Sequence, residues 1–172
     1  MAGDDAPAAA IAVRSPCAAW RKACPPAPRL TRAAARRTLR RGAAAAGLAL
    51  PARVELCINL ADDACQQRLN RDFRGRDLPT NVLAFPAWAP GETPASDAPL
   101  LLGDVVLAFE TVAREAEEQR KPLAAHLSHL TVHGVLHLLG YDHLVPDEAL
   151  RMEALESSIL ASLGVPDPYR DR

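Results

Sequence analysis

Apolar and polar residues alternate along "RVELCINLA" (53 to 61), with Val54, Leu56, Ile58 and Leu60 on one side, as in a strand with one buried face. The next stretch, "ADDACQQRLNRDFRG", shifts to a helical period, with Asp62 or Asp63 suited to the N-cap and Gly75 to the terminator. "TNVLAFP" (80 to 86), entered through the turn "DLPTN", and "LLGDVVLAF" (101 to 109) read as two more strands, and "IAVRS" (11 to 15) as another. Helices are expected over 30 to 46, where Leu30, Ala33, Ala34, Arg37 and Arg41 keep helical spacing before Gly47 and Pro51, and over 110 to 119, 122 to 139 and 146 to 163. Residues 86 to 100 are rich in proline and alanine and read as a loop.

Strands interleaved with helices, then helices alone, predict an α+β fold: one small mixed sheet of about four strands packed against about five to six helices. The pattern places a single domain at residues 11 to 165, between a flexible N-terminal tail (1 to 10) and a C-terminal tail (166 to 172).

Composition narrows this further. At 172 residues the chain is long enough for one core of its own, and no apolar run approaches the length of a spanning helix, so no membrane is implied. The net charge of −1 hides an asymmetry: residues 1 to 53 hold ten Lys and Arg against two acids, the remainder ten against nineteen. Such a basic segment attracts phosphates or simply solvates a helix face; Arg36, Arg37, Arg40 and Arg41 are the candidates for nucleic-acid contact. Cys17, Cys24, Cys57 and Cys65 form no C-x-x-C pair and are expected to be buried, reduced thiols. The acid-poor N-terminus is interrupted by "CPPAP" and holds no clear apolar signal, so a cytoplasmic location is expected.

The chemistry concentrates in "HGVLHLLGYDH" (133 to 143). His133 and His137 lie one helical turn apart on one face, and Gly140 allows the reversal that returns His143 to them. Three histidines around one ion leave a position open for water, the arrangement of a catalytic zinc site. His126 and His129 extend the stripe: His129 is a candidate to support a ligand or touch substrate, and His126 is expected on the surface. Asp142 is a candidate to orient a liganding imidazole. Leu123, Leu127, Leu130, Gly134 and Leu138 form the face expected to meet the core. Position 134 discriminates between activities, because a metallopeptidase of the H-E-x-x-H type has there the glutamate that takes the proton from water, and this chain has glycine.

"HLTVHGVLHLLGYDH" (129 to 143), "LNRDFRGRDLPTNVLAFP" (69 to 86) and "LGDVVLA" (102 to 108), in this order, resemble the YbeY family of bacterial rRNA-maturation endoribonucleases. The resemblance implies a zinc-dependent hydrolase of single-stranded RNA acting in 16S rRNA 3′ end maturation and ribosome quality control, with an rRNA precursor and the small ribosomal subunit or its proteins as partners. By motif position His133, His137 and His143 would hold one Zn²⁺ and serve catalysis together with Arg74 of "FRGRD". A guanidinium there makes sense, because it binds a phosphodiester through two hydrogen bonds and offsets transition-state charge. Ala84 departs from the family pattern, which usually has serine at that position. Two readings from other classes stay open: a ribosome-associated binding factor with a structural metal, and a metallopeptidase that draws its acid from elsewhere.

Overall fold

The structure is a computed structural model that describes residues 8–92 and 98–170. The elements run β1 (Ala8–Arg14), α1 (Ala18–Ala23), α2 (Ala27–Ala45), β2 (Arg53–Ala61), α3 (Asp63–Arg74), β3 (Val82–Pro86), β4 (Leu100–Ala108), α4 (Phe109–Glu118), α5 (Leu123–Leu138) and α6 (Pro146–Ala161). The four strands form one mixed sheet in the order β1-β2-β4-β3, with β1, β2 and β4 parallel and β3 antiparallel to β4. This is the expected α+β class. No helix among the described residues is long and apolar enough to cross a membrane.

Alternation in β2 does what its pattern predicts: Val54, Leu56, Ile58 and Leu60 are buried together with Leu102, Val105 and Leu107 of β4, beneath Leu39 of α2 and Leu127, Leu130, Val135 and Leu138 of α5. On the opposite face Ala61, Leu83 and Val106 form a smaller cluster roofed by Cys65 and Leu69 of α3. At the start of α3, the Asp62 side chain accepts the Cys65 amide at 2.7 Å, and at its end Gly75 takes the left-handed conformation at φ 67°.

Three expectations shift. Strand β1 begins at Ala8 rather than Ile11, so residues 8 to 10 are not tail: in register with Arg53 to Glu55 they gain main-chain hydrogen bonds that a run of alanines does not advertise. Residues 1–7, and 93–97 of the expected loop, lie outside the described residues. Helix α1 was not expected, being too short to show a period. It is anchored by Trp20, which is fully buried and donates its indole N–H to the Ala61 carbonyl at 2.9 Å. The cysteines are all free, but only Cys24 is buried.

Helix α5 is the axis of the molecule. It is buried on more than one side, against the sheet and α2 and also against α6, where Val132 and Leu136 meet Met152, Ile159 and Leu160. A Cβ on Gly134 would stand 2.7 Å from Val105 Cγ1 and 3.2 Å from Val82 Cγ2, so the absence of a side chain lets α5 approach β3 and β4 this closely.

Gly103 does the same for the sheet. It lies at a register shift between β2 and β4 with φ 135°, and a Cβ there would stand 2.2 Å from the Phe85 carbonyl oxygen. Gly103→Ala is therefore expected to lower the unfolding free energy by about 3 kcal/mol or more, measured by urea denaturation. Gly47→Ala, at φ 64° with open space around it, serves as the control and is expected to cost about 1 kcal/mol.

Candidate metal centre

The last two turns of α5 carry His133 and His137, and the helix closes at Leu138. Gly140 then takes φ 90° with Pro90 packed where a Cβ would sit, and the chain reverses. The Tyr141 hydroxyl pins the reversal to α2 by donating to the Gly42 carbonyl at 2.8 Å. His143 is thereby delivered to the other two: one ring nitrogen from each of His133, His137 and His143 lies within 4.8 Å of the others, and the Nε2 atoms of His133 and His137 are 3.0 Å apart. Zinc–imidazole bonds of about 2.0–2.1 Å in a tetrahedron put donor nitrogens about 3.4 Å apart, so this cluster suits one ion after small adjustment.

The protonation of the donors fits as well. Burial pushes the His137 imidazole down to about 4, and the charges of His133 and His143 push the same way, against a hydrogen bond to the Tyr141 backbone and the charge of Asp142. His137 is therefore neutral at pH 7, as a ligand must be. His133 points Nδ1 at Glu156 Oε1, 2.6 Å away; a carboxylate only accepts, so Nδ1 is the donor there, and Nε2 is the nitrogen turned towards His137.

Glu156 was not read from the sequence as a site residue. It comes from α6 and is fully buried. Oε2 accepts hydrogen bonds from His129 Nε2 at 3.1 Å and from the Tyr169 hydroxyl. Burial works to raise its pKa, but the hydrogen bonds from His129 and His133, the His133 charge and the Tyr169 hydroxyl outweigh it and hold the carboxyl down to about 2. One signal was available: Glu156 falls in the apolar stripe formed by Met152, Ile159 and Leu160, where an unpaired acid has no place. Tyr169 carried none, since it belongs to the segment expected to be a tail.

Arg74, at the end of α3, lines the same cavity of about 600 Å³ as the three histidines, although it is far from them in sequence. Its Nη2 donates to the Ala84 carbonyl at 3.2 Å, and a guanidinium has further N–H donors for an anion. Because the contact uses the Ala84 main chain, the departure from serine leaves it intact.

Other expected residues have different places. His129 lies outside the three-nitrogen cluster: its ring stands edge-on to His133 with centroids 6.5 Å apart, and its Nε2 shares Glu156 with His133. Asp142 accepts the His143 amide at 2.7 Å, so it shapes the turn rather than orienting a ring. His126 is buried rather than on the surface, with Nε2 2.8 Å from Glu115 of α4; burial pushes its pKa down against that carboxylate. Arg36, Arg37 and Arg40 are exposed on α2 and line a separate hollow with Ala9 and Leu163. Arg41, on the same helix, holds the Ser158 carbonyl and hydroxyl with its guanidinium, each at 2.8 Å, and ties α2 to α6 at the surface.

Residues 29–164 match the model of a family described as Endoribonuclease YbeY. An Endoribonuclease YbeY of Paramagnetospirillum magneticum is 55% identical over 165 residues, covering 94% of this chain and 96% of that protein. One from Alkalilimnicola ehrlichii is 51% identical over 97% of this chain and 95% of its own length. A solution structure from Thermotoga maritima, 19% identical, shares the fold with a TM-score of 0.51 over 94% of this chain and 99% of that one.

The tight contact at Gly134 yields a direct test. Gly134→Glu, which restores the acid of a metallopeptidase at its sequence position, is expected to destabilise the protein by about 3 kcal/mol or more in thermal melts and to create no peptidase activity on casein.

Proposed function

The chain belongs to the YbeY endoribonuclease family, and from that premise we propose that it is a zinc-dependent endoribonuclease that cleaves single-stranded RNA. Its setting is 16S rRNA 3′ end maturation and ribosome quality control in the cytoplasm, with an rRNA precursor as substrate and the small ribosomal subunit or its proteins as partners. One observation carries the reading: three histidine ligands and a guanidinium share one cavity, while the position that holds a peptidase's acid has no room for a side chain.

His133, His137 and His143 hold the ion. Zinc bound there supplies Lewis acidity towards a phosphoryl oxygen and acidifies water. Arg74 binds the phosphodiester and offsets the charge that grows on its oxygens, with the Ala84 carbonyl fixing the guanidinium at the rim. Arg36, Arg37 and Arg40 attract the RNA backbone from outside the cavity, without reading its sequence.

The test combines metal and cleavage. Elemental analysis is expected to find one zinc per chain, lost in His137→Ala together with cleavage of a single-stranded RNA. Arg74→Ala keeps the zinc but lowers kcat/KM by about 100-fold. Equal cleavage by all three proteins would trace the activity to a contaminant and refute the assignment. Replacing Arg36, Arg37 and Arg40 together by alanine is expected to weaken RNA binding about tenfold and to flatten its salt dependence, measured by fluorescence anisotropy across a potassium chloride series.

A further inference from the structure

Beyond the three ligands, the surroundings of Glu156 join parts of the chain that the zinc chemistry does not by itself require. A buried carboxylate needs donors for both oxygens, and here they come from two elements. His133 and His129 reach it from α5, and Tyr169 reaches it from the segment beyond α6. That segment is itself fastened: Ser157 Oγ donates to Asp167 Oδ1 at 2.8 Å, the Tyr169 amide donates to the same oxygen at 3.0 Å, and Lys121 Nζ donates to the Pro168 carbonyl at 2.9 Å. The Tyr169 ring stands edge-on to His129 with centroids 5.5 Å apart, and its hydroxyl is 3.3 Å from His129 Nε2. Residues 166 to 170, expected to be tail, thus close the site from behind.

We propose that Glu156 is a positioning residue for the metal, held by Tyr169 and His129, and that the C-terminal segment Asp167–Tyr169 is an integral part of the metal centre. The proposal rests on the zinc reading above. Glu156 meets His133 on the ring edge opposite Nε2, so it orients a ligand without being one. It selects the tautomer that leaves Nε2 bare, fixes the plane of the imidazole and raises its basicity. Tyr169 and His129 act one step further out. By occupying Oε2 they stop the carboxylate from turning towards other donors and keep Oε1 aimed at His133. The sequence distance is part of the argument: His133, Glu156 and Tyr169 meet only when α5, α6 and the C-terminal segment are all in place.

The experiment measures the dissociation constant for zinc alone, by competition with a chelator of known affinity, on the full-length chain and its variants. Thermal melts of each metal-free protein report whether it is folded. Glu156→Ala is expected to weaken zinc binding about 100-fold, Glu156→Gln less because its amide oxygen still accepts from Nδ1, and Tyr169→Phe about tenfold. Tyr169→Phe removes one hydroxyl from a half-buried side chain and keeps the test open if Glu156→Ala fails to fold. A purely structural role would lower the metal-free melting temperature of the variants while leaving the zinc constant of the folded protein unchanged. That result, with wild-type zinc binding still abolished by His137→Ala, would overturn the positioning role and leave the zinc reading intact. Absence of zinc binding by the wild-type chain would overturn both.

Discussion

Helix α5 lies against β3 and β4 at a distance that only a residue without a side chain permits, and that residue is Gly134. Because His133 precedes it and His137 follows one turn after His133, the depth at which the helix seats decides how the two imidazoles project over the edge of the sheet. The same closeness settles what position 134 can carry. A side chain there would have to displace Val105 and Val82 from a close-packed interior, so the catalytic acid of a peptidase is excluded by packing before chemistry is considered. The cationic group at this cavity comes instead from outside the helix: Arg74, held at the rim by the main chain of β3.

A second constraint is electrostatic. Placing a carboxylate at Glu156, inside an otherwise apolar helix interface, costs several kcal/mol unless its oxygens are matched by donors. The structure matches them from α5 and from the C-terminal segment, so satisfying one buried charge also determines the tautomer of His133 and the position of residues 167 to 169. His126 and Glu115 make a similar pair at the other end of α5, joined to Asn81 through its side-chain amide. Both pairs bind the histidine helix to its neighbours by polar contacts within a largely aliphatic interior.

How much of this was legible in the chain depended on whether the relevant contact was local. Asp62 and Gly75 mark the ends of α3 through hydrogen bonds and backbone angles spanning a few residues, and both were readable. The spacing of His133, His137 and His143 was readable for the same reason, because one helical turn and one glycine reversal bring their nitrogens together. Helix α1 was not readable, since six residues show no period and its anchor is a bond from Trp20 to Ala61, forty-one positions away. His126 was misplaced because polarity predicts exposure only where no partner waits inside, and Glu115 waits there.

The sequence by itself therefore determined the class of the fold, the helix that bears the histidines and the grouping of His133, His137 and His143, because periodicity, caps and turn residues act over short distances along the chain. Tertiary structure alone decided the rest. It brought Arg74 into the cavity and set Glu156 and Tyr169 behind His133. These placements depend on how closely helices seat and on which buried charge finds which donor, and both are settled only when elements distant in sequence come into contact.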